Sequence, residues 1–104
     1  MTRVYIDTGV GTRLIGNFED GVFISKRQAS KHLYKKLNAW GIDSKALNGL
    51  IKDKQLKQVI IIDTETNIRY ITDASNFKEH GTTLNHKPHR AQIFLPLEYW
   101  VAEG

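Results

Sequence analysis

The sequence predicts an α+β fold, a small single domain over residues 1–104 in which two antiparallel β-hairpins pack around a central two-helix unit. Three observations carry this expectation. β-prone runs broken by turn residues occupy both ends of the chain, and a stretch of helical periodicity with a capping signal occupies its middle. The length, 104 residues, supports one modest core. A composition of 40% hydrophobic and 25% charged residues is that of a folded chain rather than a disordered one.

Val4-Tyr5-Ile6 opens a β-prone segment that stops at Gly9-Val10-Gly11. Leu14 to Phe18 and Val22 to Ile24 then flank Glu19-Asp20-Gly21, and Asp-Gly is a strong hairpin signal. Residues 3–25 are therefore expected as two or three short strands. Ser25-Lys26-Arg27-Gln28 fits a capping box, so a helix is expected from about Lys26 to Trp40. At 100° per residue Ala29, Leu33, Leu37 and Trp40 share a stripe about 80° wide, with Arg27, Lys31, Lys35 and Asn38 opposite. Gly41 supplies the left-handed stop, and Asp43 or Ser44 caps a second helix to about Lys54. Its core face is Leu47, Leu50 and Ile51, with Lys45 and Lys52 outward.

Leu56 to Asp63 and Ile68 to Thr72 form the second hairpin around Thr64-Glu65-Thr66-Asn67. Asp73 caps a short helix through Phe77 to His80, closed by Gly81, and the polar stretch Thr82–Arg90 reads as a loop. Ala91 to Leu95 is a last strand, which Pro96 ends or places on a sheet edge. Phe94 and Trp100 are expected to close the core.

The functional lead is electrostatic. Nine of the fifteen basic residues lie between Lys26 and Lys57, where only Asp43 and Asp53 oppose them, a formal +7. The flanking segments are slightly acidic. Such a block suits a phosphate backbone, because Lys and Arg displace its condensed counterions. The expected function is a nucleic-acid-binding module, for DNA or RNA, contacting phosphates through Lys26, Arg27, Lys31, Lys35, Lys45 and Lys52. Gly41-Ile42-Asp43 between the helices has the spacing of a helix-turn-helix, with Lys45, Asn48 and Lys52 as a reading face. Such a module would suit an accessory or regulatory protein of a phage or mobile element, and a homodimer is compatible with it.

Two other classes compete. His80, His86 and His89 with Lys87 would serve a small nuclease, in which imidazole is the general base. A basic helix meeting an acidic partner would make an interaction adaptor, with an exposed aromatic patch around Phe94 and Trp100. Ile61-Ile62-Asp63-Thr64-Glu65-Thr66 resembles the first motif of DnaQ-like 3′→5′ exonucleases over about six residues. The later His with an Asp five residues on is missing, since His86 is followed there by Ala91. The glycines at 9, 11 and 16 match neither a dinucleotide fingerprint nor a P-loop at the residue that would do the chemistry. No cofactor and no metal site is expected. The absence of cysteine excludes disulfides and thiolate metal sites and fits a cytoplasmic chain. No apolar run reaches membrane-spanning length, and the opening residues make no signal peptide, so no membrane partner is expected.

Overall fold

The computed structural model describes residues 2–7, 9–27, 37–52, 56–87 and 90–104, with the backbone alone at 85–87 and 90. Among these residues the chain is mostly β. The order is β1 (Thr2–Asp7), β2 (Thr12–Glu19), β3 (Val22–Arg27), β4 (Ala39–Asp43), α1 (Ser44–Lys52), β5 (Gln58–Asp63) and β6 (Arg69–Asp73). There follow α2 (Ser75–His80), β7 (Thr82–Lys87), β8 (Arg90–Pro96), a 3-10 turn (Leu97–Tyr99) and β9 (Val101–Glu103). Six strands form a mixed sheet in the order β1-β2-β3-β5-β6-β9, and three form an antiparallel sheet in the order β4-β8-β7.

This corrects the expected architecture. The hairpins at Asp20-Gly21 and Thr64–Asn67 are present. They are joined into one sheet by parallel pairing of β3 with β5, rather than packed around a two-helix unit. Asp20 (φ 51°) and Gly21 (φ 83°) both hold positive φ, as a two-residue hairpin turn of the primed type requires. At the second hairpin the buried Asp63 carboxylate accepts from the Glu65 amide (3.0 Å) and the Thr66 hydroxyl (2.9 Å), so its role is to fix the turn.

The expected first helix, 26–40, is contradicted at 26–27 and at 39–40, which are strand, whereas Leu37 is helical and the stretch 28–36 lies outside the described residues. Ser25, Lys26 and Arg27 continue β3, opposite Ile61, Ile62 and Asp63 of β5, and Ser25 is buried rather than capping a helix. A parallel ladder lasts only as long as both strands stay extended, and here it overrides the local capping signal. Ala39 to Asp43 are all buried in β4, so Gly41-Ile42-Asp43 is strand and makes no helix-turn-helix. The left-handed residue of this region is Asn38 (φ 48°), three residues before the expected stop at Gly41. Leu37, assigned to the core stripe, is 36% exposed.

Gly41 has a different purpose. It stands opposite Phe94 of β8, and a Cβ there would come within 2.6 Å of the Phe94 ring. Only a residue without a side chain admits so close a packing of ring on backbone.

Helix α1 forms as expected: the Asp43 carboxylate accepts from the amides of Lys45 (3.0 Å) and Ala46 (3.2 Å), satisfying two orphan donors of the first turn. Leu47 is buried, Leu50 and Ile51 are half-buried, and Lys45 and Lys52 are exposed. Helix α2 also forms, but no side chain caps it, and Asp73 instead ends β6. The expected loop at Thr82–Arg90 contains β7, an edge strand whose polar sequence carries no apolar alternation. Strand β8 is central to its sheet, so Pro96 ends a strand and does not mark an edge.

One apolar cluster joins the sheets. Phe23, Val59 and Ile61 of the larger sheet belong to it with Trp40, Ile42 and Leu95 of the smaller, Leu47 of α1, Phe77 of α2 and Trp100. Phe77 meets Trp100 edge-on at 5.5 Å, and the Trp100 indole N–H donates to the Leu95 carbonyl at 3.0 Å. Trp100 thus keeps its indole N–H satisfied while its ring fills the core. No helix among the described residues is long and apolar enough to cross a membrane.

Candidate nucleic-acid interface

Among the described residues those expected to meet phosphates, Lys26, Arg27, Lys45 and Lys52, fall on two different elements. Lys26 and Arg27 end β3, the first exposed and the second half-buried. The Arg27 carbonyl accepts from the amide (2.8 Å) and hydroxyl (3.3 Å) of Thr64, which anchors this strand end to the β5–β6 turn. Across the sheet Lys26 stands opposite Ile62, and Ile62 opposite Arg69, which is also exposed. Lys26 and Arg69 therefore share one face, two strand spacings or roughly 10 Å apart. Glu103 of β9 closes this row as its one carboxylate. Arg69 was not among the expected contacts, although strand alternation over Ile68–Thr72 marks it as a solvent-facing position.

The second group is on α1. Lys45 and Lys52 are seven residues apart, hence on one helix side and about 10 Å apart along the axis. Asn48 and Gly49 lie between them, and all four are exposed. The helix packs its other side on β1, β4 and β8. Among the described residues the charge block that is continuous in sequence is thus divided, with Lys26 and Arg27 on a strand and Lys45 and Lys52 on a helix. Lys31 and Lys35 lie outside the described residues. Among the described residues the one close approach of a basic side chain to a carboxylate is that of His80 Nε2 to Glu79 at 3.7 Å. Lys26, Lys45 and Lys52 therefore stand without a carboxylate partner there, while Arg69 faces Glu103 across the β6–β9 pair.

The competing sites gain less. His80 ends α2 with its ring stacked on Tyr99 at 4.3 Å and 6°. His86 and Lys87 belong to β7, where the pairing with β8 is irregular between Asn85 and Lys87. His89 lies outside the described residues, as do the side chains of His86 and Lys87. Among the described residues no group of three His, Cys, Asp or Glu side chains could hold a metal ion. Phe94 (2% exposed) and Trp100 (6%) are buried, so the aromatic patch that an adaptor would present there is core. No family model, curated protein or solved structure matches this chain.

Proposed function

We propose that this chain is a small cytoplasmic nucleic-acid-binding module that holds the phosphate backbone through Lys26, Arg27, Lys31, Lys35, Lys45 and Lys52, with Arg69 beside Lys26. The observation that carries this reading is the exposure of Lys26, Lys45 and Lys52 with no carboxylate partner among the described residues. Surface cations already paired with acids gain little from a phosphate, whereas unpaired ones release its counterions. Lys26 is held on a strand and Lys45 and Lys52 on a helix, and these three side chains are exposed, while Arg27 alternates to the other face of β3, opposite Asp63. They suit sequence-independent contact, since phosphates position a protein and carry no base identity.

The test is a salt titration of binding to a random duplex and a random single strand. With about six contacts, log affinity should fall against log salt with a slope of roughly −5 on duplex and −4 on single strands. Exchanging Lys45 and Lys52 for Gln should reduce the slope magnitude by about 1.5 to 2 and weaken all sequences alike. Absence of salt-dependent binding to either nucleic acid at low ionic strength would refute the reading.

A further inference from the structure

Among the described residues the larger sheet has two edge strands, β1 and β9, of different character. Strand β9 is three residues long and fully exposed, too short to template another strand. Strand β1 has six residues, is paired only with β2, and makes no other backbone hydrogen bond among the described residues. Its sequence is Thr2-Arg3-Val4-Tyr5-Ile6-Asp7. Arg3 and Asp7 are placed symmetrically about Tyr5, all three are exposed, and Tyr5 is 52% exposed.

Beside this edge runs a groove of about 330 Å³, lined by Val4, Tyr5, Ile6 and Asp7 and by Lys45, Ala46, Gly49 and Leu50 of α1. Side chains of a strand alternate between faces, so a groove touching four consecutive residues follows the backbone edge. Gly49 keeps its far wall open: a Cβ built there would meet nothing within 4 Å.

We propose that β1 is a self-association edge and that its occupant is the β1 strand of a second copy of this chain, antiparallel and centred on Tyr5. In that register Arg3 faces Asp7 of the second copy, Asp7 faces its Arg3, Val4 faces its Ile6, and the two Tyr5 rings are neighbours. Opposite charges across a strand pair attract, and like charges repel by a similar amount. The two charges therefore select this register and disfavour the parallel one, in which Arg3 meets Arg3. Neither charge has an ion-pair partner within the chain among the described residues. The Asp7 Oδ1 accepts the Gly9 amide at 2.8 Å, and Oδ2 has no partner there. The two-fold axis makes the contact closed and isologous, so it ends at the dimer.

The experiment is sedimentation equilibrium on wild type, Arg3→Asp, Asp7→Arg and the double exchange, with far-UV circular dichroism to confirm that each is folded. The wild type should be a dimer in equilibrium with monomer. Each single exchange turns two attractive pairs into two repulsive ones and should weaken association about tenfold. The double exchange restores opposite charges with their signs reversed and should recover most of the wild-type association. The Gly9 contact is lost equally in Asp7→Arg and in the double exchange, so recovery isolates the charge pairing from that loop. A wild type that stays monomeric overturns the proposal and leaves the edge to a foreign strand. A dimer insensitive to the single exchanges, or one that the double exchange fails to restore, overturns it equally.

Discussion

Exchanging Gly41 for Ala tests the corrected architecture at its most demanding contact. In β4 the new methyl carbon would lie 2.6 Å from two carbons of the Phe94 ring. Non-bonded carbons settle at about 3.5–4.0 Å, so roughly 1 Å of overlap must be absorbed. Phe94 is 2% exposed and cannot swing into solvent, and β4 and β8 both carry core residues on either side of the contact. Overpacking of this kind costs ~1–3 kcal/mol, and the absence of an escape route puts Gly41→Ala at the upper end. At about 4–8 °C per kcal/mol, the thermal midpoint should fall by roughly 10–20 °C. Phe94→Leu removes the obstructing ring at a cost of its own. If the clash is the cause, the double variant will be less destabilised than the sum of the singles by at least about 1 kcal/mol. Urea unfolding of the four proteins measures this cycle. Were Gly41 a left-handed helix stop, Gly41→Asn would be tolerated, because Asn adopts that conformation readily. In the strand, Asn should cost at least as much as Ala. Additive single effects, or a stable Asn variant, would refute the packing argument.

Asp43→Ala should cost about 1–2 kcal/mol in urea unfolding, because it strips two amides at the start of α1 of their acceptor, and Asp43→Ser should retain part of that stability. An unchanged midpoint for the Ala variant would show that the cap contributes nothing. Replacing His80, His86 and His89 together by Ala should leave nucleic-acid affinity at pH 7.5 nearly unchanged, since the proposed phosphate contacts are Lys and Arg side chains. Cleavage of RNA by the wild type that disappears in the triple variant would instead establish the nuclease.

What was legible in this sequence was local. Asp-Gly marks the β2–β3 turn because both residues accept positive φ. Asp43 marks the start of α1, and the aliphatic run from Val59 to Ile62 marks a central strand. The failures are non-local. Ser25-x-x-Gln28 is a valid capping box in an isolated peptide, yet Ser25 is held extended by a partner strand more than thirty residues away. Gly41 presents the same letter whether it ends a helix or admits a ring, and only the position of Phe94 tells the two apart. Trp40 falls on the helical stripe by coincidence, since its burial comes from β4. Strand β7, Thr82-Thr83-Leu84-Asn85-His86-Lys87, is an edge strand whose polar sequence lacks the apolar alternation that would have marked it.

The charge pattern divides in the same way. Counting residues finds the basic block, but distance along the chain is a poor guide to distance in space once β3 and α1 lie on different parts of the fold. Arg69, outside the block, shares a sheet face with Lys26 two strands away. Composition therefore gives the sign of the charge but not its distribution over the fold. Strand β1 illustrates the converse. The symmetry of Arg3 and Asp7 about Tyr5 is visible in the sequence, yet in a central strand it would mean nothing, because both sides would already be paired. Topology gives it consequence by leaving one side of β1 open, with Gly49 keeping the neighbouring helix wall clear. A symmetry without consequence in the sequence alone acquires one, under the proposed self-association, once the order of the strands is known.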